Sequence, residues 1–122
     1  MAFKVNVTKK DSRVFIVSAI GSLDSGTYQA LEKELESVLV PSTKAIIFDM
    51  KGVDYISSMG WHILFKVKVD IEKNAGTIVL TNFQPQIKKI FDIIRVLPEH
   101  FFSNMEEADK YINEFLEKMQ DK

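Results

Sequence analysis

AIIFDMKGVDYISSMG, residues 45–60, is the stretch on which the fold turns. Ala45 to Phe48 is an unbroken apolar run, the pattern of a strand buried on both faces. The strand is expected to end at Asp49. A polar turn around Lys51 and Gly52 then leads into a second short extended piece, Val53 to Ile56. Ser57 and Ser58 stand where a helix begins, with the helix itself expected from about Met59 to Asn74. A hydroxyl just ahead of an amphipathic run is the usual N-cap, because its oxygen accepts from an otherwise unpaired N–H of the first turn. That end of a helix is electropositive and tolerates an anion. A serine here can be a cap, a switch, or both.

Toward the N-terminus, Phe3, Val5 and Val7 alternate with Lys4, Asn6 and Thr8, the period of a half-buried strand. Lys9 to Ser12 reads as a hairpin turn, and Val14 to Ile20 returns as a more apolar strand. Gly21 to Gly26 is rich in turn formers, with Asp24 or Ser25 available as a helix N-cap. Tyr28, Leu31, Leu35 and Val38 follow at helical spacing, and Pro41 is expected to stop that helix.

Toward the C-terminus, Gly76 breaks the serine-led helix and Thr77 to Thr81 is another buried strand. Pro85 suits the first turn of a third helix with Ile87, Ile90, Phe91 and Ile94 as its apolar stripe. Phe101-Phe102 reads as a short edge strand. Ser103 to Glu106 is a capping-box pattern that opens a last helix, with Ala108, Tyr111, Ile112, Phe115, Leu116 and Met119 on its buried side. A β-β-α-β-α-β-α-(β)-α order implies one mixed sheet that starts as a hairpin and continues by parallel crossovers. Those crossovers should bring the Asp24 loop and the Ser57-Ser58 turn to the same rim.

The serine-led helix has more apolar surface than a sheet requires. At about 3.6 residues per turn, Gly60, Ile63, Leu64, Val67 and Ile71 fall within roughly one third of the circumference, the width of a core stripe. Trp61, Phe65 and Val69 lie on another side, with His62 beside them and Ser58 pointing the same way. This second face either packs against a neighbouring helix of the same domain or forms an exposed patch of the kind found at protein interfaces.

Composition narrows the function classes. The 122 residues suit one domain, spanning 1–122, with a core that needs no staples. With no cysteine there is no disulfide, thiolate metal site or thiol nucleophile. A net charge of -1 gives no electrostatic reason to expect nucleic acid. No apolar run reaches the ~18 residues of a membrane span. The first residues alternate rather than form a signal-peptide core, so a cytoplasmic protein is expected. His62 and His100 lack the context of a nucleophile–base pair, and an enzyme is not expected. Asp49, Asp54 and His62 match no metal-ligand spacing. No Gly-rich phosphate loop is present.

Gly21-Ser22-Leu23-Asp24 after the second strand resembles the G-x-L-D signature of the STAS domain, the family of bacterial anti-sigma factor antagonists. IIFDMKGVDYISSMG, the apolar helix after it and AGTIVLTNFQPQIKKIF resemble the same family. Glu106-Glu107-Ala108 extends the likeness over nearly the whole chain. The resemblance implies an α/β fold: a STAS-like mixed β-sheet of four to five strands with about four helices packed mainly on one side.

The resemblance also implies partner switching, with no cofactor. The unphosphorylated protein binds an anti-sigma factor serine kinase of GHKL type and so frees the sigma factor. The kinase then phosphorylates the serine two positions before the glycine of the S-x-G segment, here Ser58, and releases itself. A PP2C-type phosphatase resets the cycle. Asp24 matches the acidic residue of the kinase-facing loop, and Ser57, Met59, Trp61, His62 and Phe65 complete the expected partner-binding surface. Family members commonly have a small residue at the place of Met59 and Leu-Gly at Trp61-His62, so these bulky side chains bear on which kinase fits. The switch predicts a monomer or weak dimer. The alternative is a non-phosphorylated STAS scaffold or sensor in a larger signalling complex with a non-sigma output, which predicts a high-mass species.

Overall fold

A computed structural model describes residues 3–94, 101–102 and 105–120. The elements run β1 (Lys4–Asp11), β2 (Val14–Leu23), α1 (Tyr28–Leu35), β3 (Ala45–Ile56), α2 (Ser58–Lys73), β4 (Thr77–Thr81), α3 (Pro85–Ile94), β5 (Phe101–Phe102) and α4 (Met105–Gln120). The strands form one sheet in the order β1-β2-β3-β4-β5. β1 pairs antiparallel with β2, and the β2–β3, β3–β4 and β4–β5 pairs are all parallel. The mixed sheet and its crossovers agree with the expected α/β class.

The alternation of β3 divides the core. Ile46, Phe48, Met50, Val53 and Ile56 face one side, where Leu31 and Leu35 of α1, Ile63, Leu64, Val67 and Ile71 of α2 and Ile87 of α3 pack. Ala45 and Ile47 face the other, against Ala108, Ile112 and Leu116 of α4. Three helices therefore cover one face and the last helix covers the other. An unbroken apolar run at Ala45–Phe48 follows from this, since both faces of β3 are buried there.

Several boundaries differ from expectation. β3 does not end at Asp49: it continues as one strand through Lys51 and Gly52 to Ile56. The polar residues mark a bulge, where the register against β2 shifts between Ser18 and Ile20 and again between Gly21 and Ser22. Gly52 lets the bulged backbone pass close to β2, since a Cβ there would sit 2.9 Å from the Ala19 carbonyl oxygen. β1 extends to Asp11, whose carboxylate accepts the Arg13 N–H at 2.7 Å and tightens the hairpin. α1 ends at Leu35, well before Pro41. Its chain leaves through turns in which Val38 and Leu39 both donate to the Leu35 carbonyl. α2 closes on Ala75 with φ 60°, so the left-handed residue is the alanine rather than Gly76. Ser103 and Asn104 of the capping-box pattern lie outside the described residues, as does His100.

Candidate functional site

Parallel pairing of β2 and β3 brings their C-terminal ends to one rim, with Leu23 opposite Ile56. Both chains turn into helices there, and the two turns are joined. The Leu23 carbonyl accepts the Ser57 N–H at 2.9 Å. The Ser22 hydroxyl donates to Asp54 Oδ1 at 2.8 Å. Gly60, in the first turn of α2, lies so close to β2 that an added Cβ would sit 2.5 Å from the Leu23 carbonyl oxygen and 2.8 Å from Ile56 Cγ2. The glycine of the S-x-G segment is thus a steric requirement, because only a bare Cα lets α2 start directly against the end of β2.

The two serines divide the work. Ser57 is the N-cap, with extended backbone (φ -82°, ψ 176°), and its hydroxyl oxygen accepts the Gly60 N–H at 3.3 Å. Ser58 is the first residue of α2 and is exposed. Of the two serines at the helix start, Ser57 is therefore the cap: capping needs extended backbone, which Ser57 has and helical Ser58 lacks.

Asp24 does not cap α1, and neither does Ser25. Thr27 stands at the N-cap position and makes no side-chain cap bond. The Asp24 carboxylate instead closes its own turn, accepting the Gly26 N–H at 2.9 Å, and lies 3.2 Å from the Thr27 hydroxyl. Its carbonyl accepts from the N–H groups of Thr27 and Tyr28 at 3.1 and 2.9 Å. Thr27 Oγ1 donates to the Ser22 carbonyl at 2.7 Å and accepts the Asp24 N–H at 2.9 Å, so the loop is held to the end of β2. The acidic side chain three residues before Thr27 satisfies loop backbone, which outranks a cap on the following helix.

The second apolar face of α2 splits in two. Trp61 is only 6% exposed and belongs to the sheet-side core, so of the two readings of this face the packed one holds for Trp61. Its neighbour is Phe83 in the loop after β4, with ring centroids 6.3 Å apart and planes tilted by 56°. Phe65 is 41% exposed, Met59 is 38% exposed, and His62 is also at the surface. Ser58, Met59, His62 and Phe65 therefore share an accessible strip along α2, and Val69 is half-buried at its far end. Farther along, Lys66 bridges to Glu32 of α1 at 3.0 Å. The hydrogen bond and charge of Glu32 hold the ammonium above its ordinary range.

Sequence reasoning missed the Ser22–Asp54 contact and the role of Thr27. The first depends on the bulged register of β2 against β3, which no local pattern encodes; the second is a local turn contact to Ser22 and Asp24. Asp49 and Asp54 are engaged in separate contacts: Asp49 Oδ1 accepts from the Lys51 N–H and from Asn82 Nδ2, both at 3.1 Å. Among the described residues no group of three or more His, Asp or Glu is placed to hold a metal ion. No described helix is long and apolar enough to cross a membrane.

The sequence pattern of the STAS domain matches residues 6–108. A Bordetella bronchiseptica protein named "Putative anti-sigma factor antagonist BtrV" is 27% identical over 105 residues, which cover 86% of this chain and 90% of that protein. The crystal structure of an anti-sigma factor antagonist from Mycobacterium paratuberculosis superposes with a TM-score of 0.79 at 22% identity, covering 92% of this chain and 95% of that one. The Bacillus cell fate determinant SpoIIAA in its phosphorylated form superposes with a TM-score of 0.71 at 17% identity, covering 89% and 99%. At these identities the two structures establish a shared fold.

Proposed function

The chain belongs to the STAS-domain family, and from that premise we propose that it is an anti-sigma factor antagonist working by phosphorylation-controlled partner switching. In this reading unphosphorylated protein binds an anti-sigma factor serine kinase of GHKL type in the cytoplasm. Phosphorylation of Ser58 releases it, and a PP2C-type phosphatase restores binding. The docking surface comprises the Asp24 loop and the accessible strip of Ser58, Met59, His62 and Phe65. Ser57 supports it from beneath, and Trp61 contributes as core.

The observation that carries the proposal is the separation of the two serines. Ser57 makes the cap, so the exposed Ser58 hydroxyl can be modified without removing the bond that starts α2. Phosphorylation adds about -1.5 to -2 charges and three acceptor oxygens. The positive end of α2 favours that charge, so the fold should survive it. In a complex the same charge must be desolvated close to the acidic Asp24 loop. Weakening a complex hundredfold to ten-thousandfold needs only about 2.7–5.5 kcal/mol, which one badly placed dianion can supply. The switch is an electrostatic veto rather than a refolding.

Incubation with ATP and a candidate cognate kinase, followed by intact-mass measurement, tests the proposal. One phosphate should be gained by the wild-type chain and by Ser57→Ala, and none by Ser58→Ala. No gain with a kinase that demonstrably binds the protein overturns the switch.

A further inference from the structure

We infer that His62 is the counter-cation of phosphorylated Ser58, clamping the phosphate along the outer face of α2. The inference deepens the switch reading of Ser58 and rests on it. Both residues lie within α2 and are exposed, four positions apart. Helical residues at that spacing stand one above the other, with Cβ atoms about 5–6 Å apart. A phosphate on Ser58 and the imidazole of His62 are each long enough to close that gap. His62 is also the one basic residue in the segment Ser58–Phe65. The next one along the helix, Lys66, is already drawn to Glu32.

The other titratable and charged groups on the elements of this face come from α1, β3, the β2–α1 loop, α3 (Lys88 and Lys89) and α2 itself. α1 brings Tyr28, Glu32, Lys33 and Glu34, of which Glu32 is held by Lys66. β3 brings Asp49, Lys51, Asp54 and Tyr55. Asp49 is engaged by Asn82 and the Lys51 N–H, and Asp54 by Ser22. β4 carries no charged residue. In the β2–α1 loop, Asp24 is occupied by the Gly26 N–H. Farther along α2 itself are Lys68, Asp70, Glu72 and Lys73, of which Lys68 and Glu72 pair with each other at 3.0 Å. Because a phosphomonoester and an imidazole both titrate within about one pH unit of neutrality, the pair makes the charge of the phosphorylated state depend on pH. The imidazolium favours the phosphate dianion, and the dianion favours the imidazolium. The phosphate therefore keeps its second charge to lower pH than an unpaired phosphoserine would.

The test uses full-length protein with phosphoserine inserted at position 58 during synthesis, so it needs no kinase. Failure of a kinase to act on Ser58 would defeat the switch reading, whereas this titration fails or succeeds on its own terms. NMR titration should show the His62 midpoint raised by about 0.5 pH unit over that of the unphosphorylated chain. His100→Gln distinguishes the two histidine signals. The phosphorus resonance should titrate at lower pH in the wild-type background than in His62→Gln, and His62→Lys should restore the lower midpoint. An unchanged His62 midpoint on phosphorylation, or a phosphate that titrates identically with and without His62, would overturn the clamp.

Discussion

Trp61 and Phe65 sit one turn apart on α2, are both aromatic, and fall on the same side of a helical wheel. Trp61 is buried against Phe83 and the sheet-side core, while Phe65 stands 41% exposed. The difference comes from what lies beside each turn. The first turn of α2 is pressed onto the end of β2 through Gly60, so the β4–α3 loop can close over Trp61. One turn later, among the described residues, the helix is left open at Phe65. An apolar side chain on a helix is therefore core or surface according to its neighbours, whatever its place on the wheel.

The largest expected effect tests that contrast directly. Trp61→Ala should destabilise the protein by about 3–5 kcal/mol, the usual cost of truncating a buried aromatic, read as a fall in the urea midpoint. A midpoint near wild type would show that the indole is not core. Gly60→Ala comes next. Its Cβ would meet backbone, which cannot rotate away, and a loss of about 1–3 kcal/mol is expected from overpacking. Chemical-shift changes should reach Leu23 and Ser57; confinement to α2 would argue against the close approach to β2.

Ser57→Ala should lose about 1 kcal/mol, the ordinary value of an N-cap. Ser58→Ala should stay within about 0.5 kcal/mol of wild type, as for surface positions. Equal losses at the two serines in chemical denaturation would erase the division of labour between them. Phe65→Ala should be similarly silent in stability yet weaken kinase binding in titration calorimetry if the strip is the docking surface. Unchanged affinity would move the interface elsewhere.

Much of this was legible along the chain. The run Ala45–Phe48, the core stripe Gly60-Ile63-Leu64-Val67-Ile71 and the shared rim of the two turns follow from periodicity and crossover rules, and the structure has all three. The continuity of β3 through Lys51-Gly52 was not legible. A polar, glycine-containing break reads as a turn unless the neighbouring strand is known to bulge with it. Asp24 likewise reads as a cap from its position, and only the folded turn shows its carboxylate accepting the Gly26 N–H instead.

By itself the sequence determined the class of fold, the apolar run of β3, the core stripe of α2 and the presence of a hydroxyl pair at a helix start, because these depend on local pattern and spacing. Tertiary structure decided which serine caps and which is free, and which aromatic is buried. Those outcomes hang on how closely α2 approaches β2 at Gly60 and on which loop closes over its first turn. They are distances between segments far apart in the chain, and no local periodicity records them.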